Sequence, residues 1–146
     1  MTVSYFMPNR SYFGAGCIAE LSGLSQSFGM KKPMIVTDHV LAELGMVDKI
    51  RAILDDAGIE CDVFAQVEPN PTDTTVAKGV AQYQAQGCDG LISLGGGSPH
   101  DCAKAIGIVL ANGGTIRDYE GVDKSTKNMV PFVAVNTTAG TAAEMT

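Results

Sequence analysis

The chain has 146 residues, with 10 Lys plus Arg against 16 Asp plus Glu and a formal net charge of −6. The acidic balance argues against nucleic acid or an anionic membrane as the main partner, because both need a basic face. A hydrophobic share of 45% with 18% charged residues excludes intrinsic disorder, and no apolar run approaches the roughly 18 residues of a membrane span.

The length suits one domain, residues 1–146. The first residues, MTVSYFMPNRSYFG, show no basic region followed by an apolar stretch, so they do not read as a signal peptide. Ser4 to Met7 and Ser11 to Phe13 read as extended, with Pro8-Asn9-Arg10 as the turn between them. Ile18, Leu21, Leu24 and Phe28 then fall on one helical face, and Gly29 ends that helix. Met34 to Thr37 is a short buried strand stopping at Asp38. Val40 to Ala57 is helical, with Leu44, Val47, Ile50 and Leu54 on one stripe and Gly58 as the stop.

The alternation repeats. Cys61 to Val67 is strand-like, and Glu68-Pro69-Asn70-Pro71-Thr72 is a loop stiffened by two prolines. A helix from about Asp73 to Gln86 ends at Gly87. Gly90 to Leu94 is a strand, Gly95 to Gly97 a glycine turn, and Pro99 to Leu110 a helix. Thr115 to Pro131 is a polar loop with a short helical turn, Phe132 to Val135 is the last strand, and a helix begins near Thr141. Strand–helix alternation of this kind predicts an α/β fold, a parallel sheet covered by helices. One turn of helix at a chain end is marginal without more chain to pack on, so the sequence reads as the front part of a longer protein. Cys17, Cys61, Cys88 and Cys102 form no CxxC pair. They read as free thiols of a cytoplasmic protein rather than a zinc knuckle or disulfides.

Ligands of open parallel sheets bind at the carboxyl ends of the strands, and here those ends carry the suggestive residues. Gly95-Gly96-Gly97-Ser98-Pro99-His100-Asp101 follows the apolar strand GLISL. Glycines let a ligand approach the backbone, and free amides at a helix start attract a pyrophosphate. Ser98 reads as the N-cap, with Asp101 completing a capping box; a tight turn with an ordinary cap is the other reading. Asp101 competes with phosphate, so it would brace the loop or reach another part of the ligand. Asp38 reads equally as acceptor for a ribose, which favours NAD over NADP, and as a helix cap. Its place ahead of the glycines departs from the usual dinucleotide fingerprint. Asn136-Thr137-Thr138-Ala139-Gly140-Thr141 offers a neutral polar cradle or a Thr-rich cap. Asn70 alone reads as a turn residue. His39 and His100 are too widely spaced to make a metal site, and Lys104 reads as a solvated helical lysine.

VTD at Val36 to Asp38, EPNPT at Glu68 to Thr72, GGGSPHDCAKAIG at Gly95 to Gly107 and NTTAGTAAEMT at Asn136 to Thr146 closely resemble the iron-containing (group III) alcohol dehydrogenases. DYEGVDKS, Asp118 to Ser125, is similar to the ethanol and methanol branch. The resemblance implies a Rossmann-like N-terminal NAD-binding domain, without the family's C-terminal all-helical metal-binding domain. It implies that Asp38 holds the adenosine ribose. Asn70, Gly96, Gly97 and Ser98 would lie along the cofactor, Thr137, Thr138 and Thr141 would complete the pocket, and Asp101 would also contact the cofactor. No catalytic residue is expected here. The family binds iron or another divalent metal through one Asp and three His in the portion beyond Thr146, and no residue of this chain matches them.

The implied reaction interconverts a primary alcohol and an aldehyde by hydride transfer to NAD, with the metal as Lewis acid. The partners implied are a small alcohol or aldehyde and, through the N-terminal segment, further copies in a homo-oligomer. Two alternatives stand beside this reading. One is an enzyme of the glycerol dehydrogenase or dehydroquinate synthase group, which shares a GGGxxxD turn. The other is a non-catalytic nucleotide-binding or self-assembling fragment.

Overall fold

Apolar runs bounded by turn residues become strands in the computed structural model, which describes residues 9–121 and 124–145. Strand β1 (Pro33–Val36) is buried along its whole length, as is β3 (Gly90–Gly95). Strands β2 (Asp62–Phe64) and β4 (Phe132–Asn136) flank them in the order β2-β1-β3-β4, all parallel. Strands buried on both faces are expected to be largely apolar; MIV is apolar throughout, and GLISL is apolar apart from Ser93.

Among the described residues five helices cover the sheet: α1 (Glu20–Ser27), α2 (His39–Glu43), α3 (Met46–Asp56), α4 (Asp73–Gln86) and α5 (Gly97–Asn112). The period of two along a strand divides the core. Met34, Val36 and Leu91 face α4 and α5, packing on Val76, Tyr83, Cys102, Ala103 and Ile106. Ile35, Ile92 and Leu94 face the other way, onto Leu21, Val47, Ile50 and Leu54. Helix α4 shows the local rules plainly. The Thr72 hydroxyl accepts from the Thr75 N–H at 3.3 Å, and Gly87 closes the helix at φ 65°.

The parallel α/β architecture is as expected, and four elements differ in extent. Ser11 to Phe13 forms no strand, and Phe13 is 87% exposed; the Ser4 to Met7 segment lies outside the described residues. The helix foreseen over Val40–Ala57 breaks at Gly45, whose φ of 78° is left-handed, and Leu44 drops off the buried stripe. Ile18 sits in a preceding 3-10 turn and Phe28 lies past the end of α1, so both stay exposed while Leu21 is buried. Strand β2 stops at Phe64 because its partner β1 ends at Val36 and the chain turns at Asp38 into α2.

The strand order fixes where a ligand goes. The chain lays β2 on one side of β1, then returns to lay β3 on the other. A crevice opens at such a reversal, outside the carboxyl ends of the two central strands. Asp38 follows β1 and the glycine turn follows β3, so both stand at that crevice.

Candidate cofactor-binding site

Two strand-to-helix turns face each other across the switch point, held at a fixed spacing by the buried Thr37. Its hydroxyl donates to the Leu94 carbonyl at 2.9 Å, and its N–H donates to the Phe64 carbonyl at 2.9 Å. Asp38 comes next in extended conformation and caps α2, accepting the Leu41 N–H at 2.9 Å through Oδ1. The cap reading is therefore realised. It occupies one carboxylate oxygen and leaves Oδ2.

The β3–α5 turn is built differently. Ser98 is not the N-cap, and Ser98 with Asp101 does not form a capping box. The helix starts two residues earlier than expected, at Gly97, with Gly96 as N-cap and no side chain capping it. The glycines permit this early start, and the His100 N–H donates to the Gly96 carbonyl at 3.4 Å. The amides of Gly97 and Ser98 occupy the first turn, where no intrahelical acceptor exists. With no side-chain cap, they face the crevice with the positive end of the helix dipole.

Two further segments close on this turn. Asn70 adopts a left-handed φ of 55°, which Asn tolerates better than most residues. Its N–H donates to Ser98 Oγ at 3.4 Å, so the EPNPT loop docks on the glycine turn. From the other side the Thr137 N–H donates to the Gly95 carbonyl at 2.9 Å. A methyl group added to Gly96 would lie 2.6 Å from Thr138 Oγ1, and one added to Gly97 would lie 3.0 Å from Thr141 Oγ1. The cradle thus exists only because these positions lack a β-carbon, and Thr137, Thr138 and Thr141 are exposed beside it. The chemistry fits a diphosphate: free amides and neutral hydroxyls, with glycine allowing close approach.

Asn70, Gly96, Gly97, Ser98, Thr138 and Thr141 are thereby brought together, with Asp38 across the crevice. Asp101 is not part of the cradle. It is exposed on α5, with its carboxylate 3.8 Å from Lys104 Nζ. Lys104 is not a solvated helical lysine: its side chain is 18% exposed, and its ammonium donates to the Ala143 carbonyl and ties α5 to a 3-10 turn at Ala143–Met145. That 3-10 turn stands where a helix from Thr141 was expected.

Sequence reasoning missed a buried chain beneath the cradle. Ser93 Oγ lies 2.6 Å from His100 Nδ1, and His100 Nε2 lies 3.1 Å from Asn136 Oδ1. Ser93 and His100 are fully buried. Burial pushes the imidazole below its usual range, more than the Asn136 bond and the Glu144 and Asp101 carboxylates raise it, so the ring is neutral near pH 7. An amide oxygen only accepts, so Nε2 carries the hydrogen and Nδ1 accepts from the Ser93 hydroxyl. A signal for this was present: Ser93 is the one polar side chain in GLISL, and a buried hydroxyl needs a partner.

All four cysteines are free thiols. Burial pushes Cys102 up to about 12 and Cys88 up to about 11, which suits packing rather than nucleophilic chemistry. Among the described residues no group of three or more His, Cys, Asp and Glu side chains is placed to hold a metal ion, and no helix is long and apolar enough to cross a membrane. The described residues do not fit a metal centre.

Fold and site define an open, doubly wound α/β domain with an uncapped glycine turn at its switch point. The sequence profile of the iron-containing alcohol dehydrogenases matches residues 8–146, and the chain belongs to that family. It is 45% identical over 143 residues to "Alcohol dehydrogenase 4" of Schizosaccharomyces pombe, covering 98% of this chain and 34% of that protein. It is 43% identical to the "NAD-dependent methanol dehydrogenase" of Bacillus methanolicus, covering 98% of this chain and 38% of that protein. A crystal structure of 1,3-propanediol oxidoreductase superposes with a TM-score of 0.95 at 44% identity, over 100% of this chain and 38% of the other. The chain therefore spans little more than a third of the length of these relatives.

Proposed function

We propose that the chain is the NAD-binding part of a metal-dependent alcohol dehydrogenase that interconverts primary alcohols and aldehydes. One observation carries this reading. The Gly96-Gly97-Ser98 turn has no side-chain cap and a shape closed to any β-carbon by Thr138 and Thr141. NAD, when bound, supplies the hydride acceptor. The chain's own residues bind and orient it.

The Gly97 and Ser98 amides receive the diphosphate, with Asn70 bracing Ser98. Thr137, Thr138 and Thr141 complete the polar wall. Asp38 accepts a ribose hydroxyl through the oxygen its cap leaves over, and its charge disfavours a 2′-phosphate. Asp101, exposed one turn into α5, lies at the margin and contacts the cofactor from outside the cradle. Iron or another divalent metal belongs to the family's activity, and in this reading its ligands are not residues of this chain. The small alcohol or aldehyde, assembly into a homo-oligomer and a cytoplasmic setting, which suits four free thiols, complete the proposal.

Calorimetric titration of the chain with NAD, NADP and ADP tests it. NAD and ADP are expected to bind, and NADP to bind more weakly than NAD. Absence of heat with all three would overturn the reading and leave self-assembly in its place. The purified 146-residue chain with added iron or zinc is expected not to oxidise ethanol; turnover would overturn the placement of the metal ligands outside it.

A further inference from the structure

The Ser93–His100–Asn136 chain has no part in the cradle as described, yet it runs from the interior of β3 to the exposed end of β4. Satisfying Ser93 alone would need nothing beyond His100. Two apolar side chains of similar volume would fill the same space without the cost of desolvating a hydroxyl and an imidazole. What the polar chain adds is orientation. The imidazole is held at both nitrogens, at 2.6 Å and 3.1 Å, so the ring cannot turn over without losing both bonds.

Its Nε2–H fixes the Asn136 amide with Oδ1 facing inward. Nδ2 then lies on the other edge of that amide, and among the described residues it has no acceptor. Asn136 is exposed at the end of β4, paired in register with Gly95, and the next residue bonds the Gly95 carbonyl. The free amide donor therefore stands beside the glycine turn.

We propose that His100 is a positioning residue that locks the Asn136 side chain so that its Nδ2 donates to an acceptor oxygen of the bound dinucleotide. The inference rests on the cofactor reading above and adds a donor to it. It assigns a binding role to Asn136 and an indirect one to His100. A neutral ring is suited to this task, because it fixes the amide without placing a full charge under the cradle. The charged groups near it are Asp101 and Lys104 on α5 and Glu144 on the terminal 3-10 turn.

Two substitutions separate orientation from packing. His100→Asn keeps a group near the Nδ1 position, facing Ser93, but does not reach Asn136. His100→Gln puts an N–H donor near the Nε2 position and restores that bond. Both are expected to lower the melting temperature of the full chain, since both disturb a buried network. Measured calorimetrically well below each melting point, NAD affinity is expected to fall roughly tenfold in His100→Asn and to return to within about threefold in His100→Gln. ADP falling with NAD would assign the acceptor to the diphosphate, and NAD falling alone would assign it to the nicotinamide carboxamide.

Equal NAD affinity in all three proteins would overturn the inference, as would losses that simply follow the melting temperature. Nitrogen-15 NMR of the ligand-free chain gives a check independent of the cofactor. It is expected to show His100 as the Nε2–H tautomer, and an Nδ1–H tautomer would overturn the inference. Failure of the unsubstituted chain to bind NAD would instead overturn the proposed function, and this donor with it.

Discussion

The two central strands end in turns that occupy equivalent places and solve the same problem in opposite ways. After β1, a carboxylate caps the helix that follows: Asp38 Oδ1 takes the Leu41 N–H. After β3, nothing caps the helix; Gly96 stands at the cap with no side chain, and the first amides stay open. The first turn carries negative charge and spends its donors internally. The second carries no charge and keeps its donors. The histidines follow the same division, for His39 at the start of α2 is exposed while His100 in α5 is buried and bonded at both nitrogens. A crevice with an anion-receiving wall opposite an anion-repelling wall can orient a molecule that has a diphosphate at one place and free hydroxyls at another.

The largest effect is expected at the uncapped turn. Gly96→Ala places a methyl group 2.6 Å from Thr138 Oγ1. Gly96 is outside the left-handed region, with φ −96°, so the contact rather than the torsion is the obstacle. Relieving it displaces the threonine loop or the turn, and overpacking of this kind costs about 1–3 kcal/mol. NAD affinity measured by calorimetry is expected to fall by up to about 100-fold. Unchanged affinity would show that the amides of this turn do not hold the diphosphate.

A smaller effect, of opposite character, is expected across the crevice. Asp38→Gly removes the carboxylate while glycine keeps most of the capping preference, at a stability cost of only a few tenths of a kcal/mol. The preference for NAD over NADP is expected to shrink by roughly tenfold, because the 2′-phosphate no longer meets a negative charge a few ångströms away. If the ratio of the two affinities does not move, Asp38 is a cap and nothing more.

How much of this contrast was legible in the sequence depends on the range of the interaction. The strand GLISL, the glycine turn and the helix after it announce themselves locally through apolar run, glycines and period, and α4 appears at the expected bounds. What the sequence could not show is which glycine would be the cap. Ser98 has the better local claim, and tertiary contacts give the place to Gly96, because Asn70 bonds Ser98 and the threonine loop packs on Gly96 and Gly97. Lys104 was misread as solvated, and the network around His100 was missed, for the same reason. Their partners, Ala143 and Asn136, lie 39 and 36 residues away in sequence, and no periodicity reports a contact at that separation. The position of Asp38 before the glycines, odd against the common fingerprint, becomes simple once β1 and β3 are seen as neighbours.

The buried histidine gives the comparison a pH dependence. Its ring sits below the usual imidazole range chiefly through burial, with Glu144 and Asp101 acting to raise it and Lys104 to lower it. In the unfolded chain the same ring titrates near 6.5. Above that pH both states hold it neutral and its contribution is complete. As the pH falls through 6.5 the unfolded state takes up a proton first, so stability is lost until the lowered folded value is passed. Chemical denaturation between pH 7.5 and 5 is expected to show the original chain losing its advantage over His100→Gln. A constant difference across that range would mean the ring is not buried neutral.

The smallest effect is expected at the ion pair that links the start of α4 to the 3-10 turn at Ile116–Tyr119. Arg117 Nε lies 2.6 Å from Asp73 Oδ2, but the arginine side chain is 78% exposed. Water and salt screen such a pair, and exposed pairs contribute about 0–1 kcal/mol. Arg117→Ala is expected to shift the denaturation midpoint slightly, less so in high salt, and to leave NAD affinity unchanged. Its value lies in separating stability from binding. It loosens the protein without touching the crevice, so a drop in affinity here would mean that the losses at Gly96 and His100 report general weakening rather than the orientation of a cofactor.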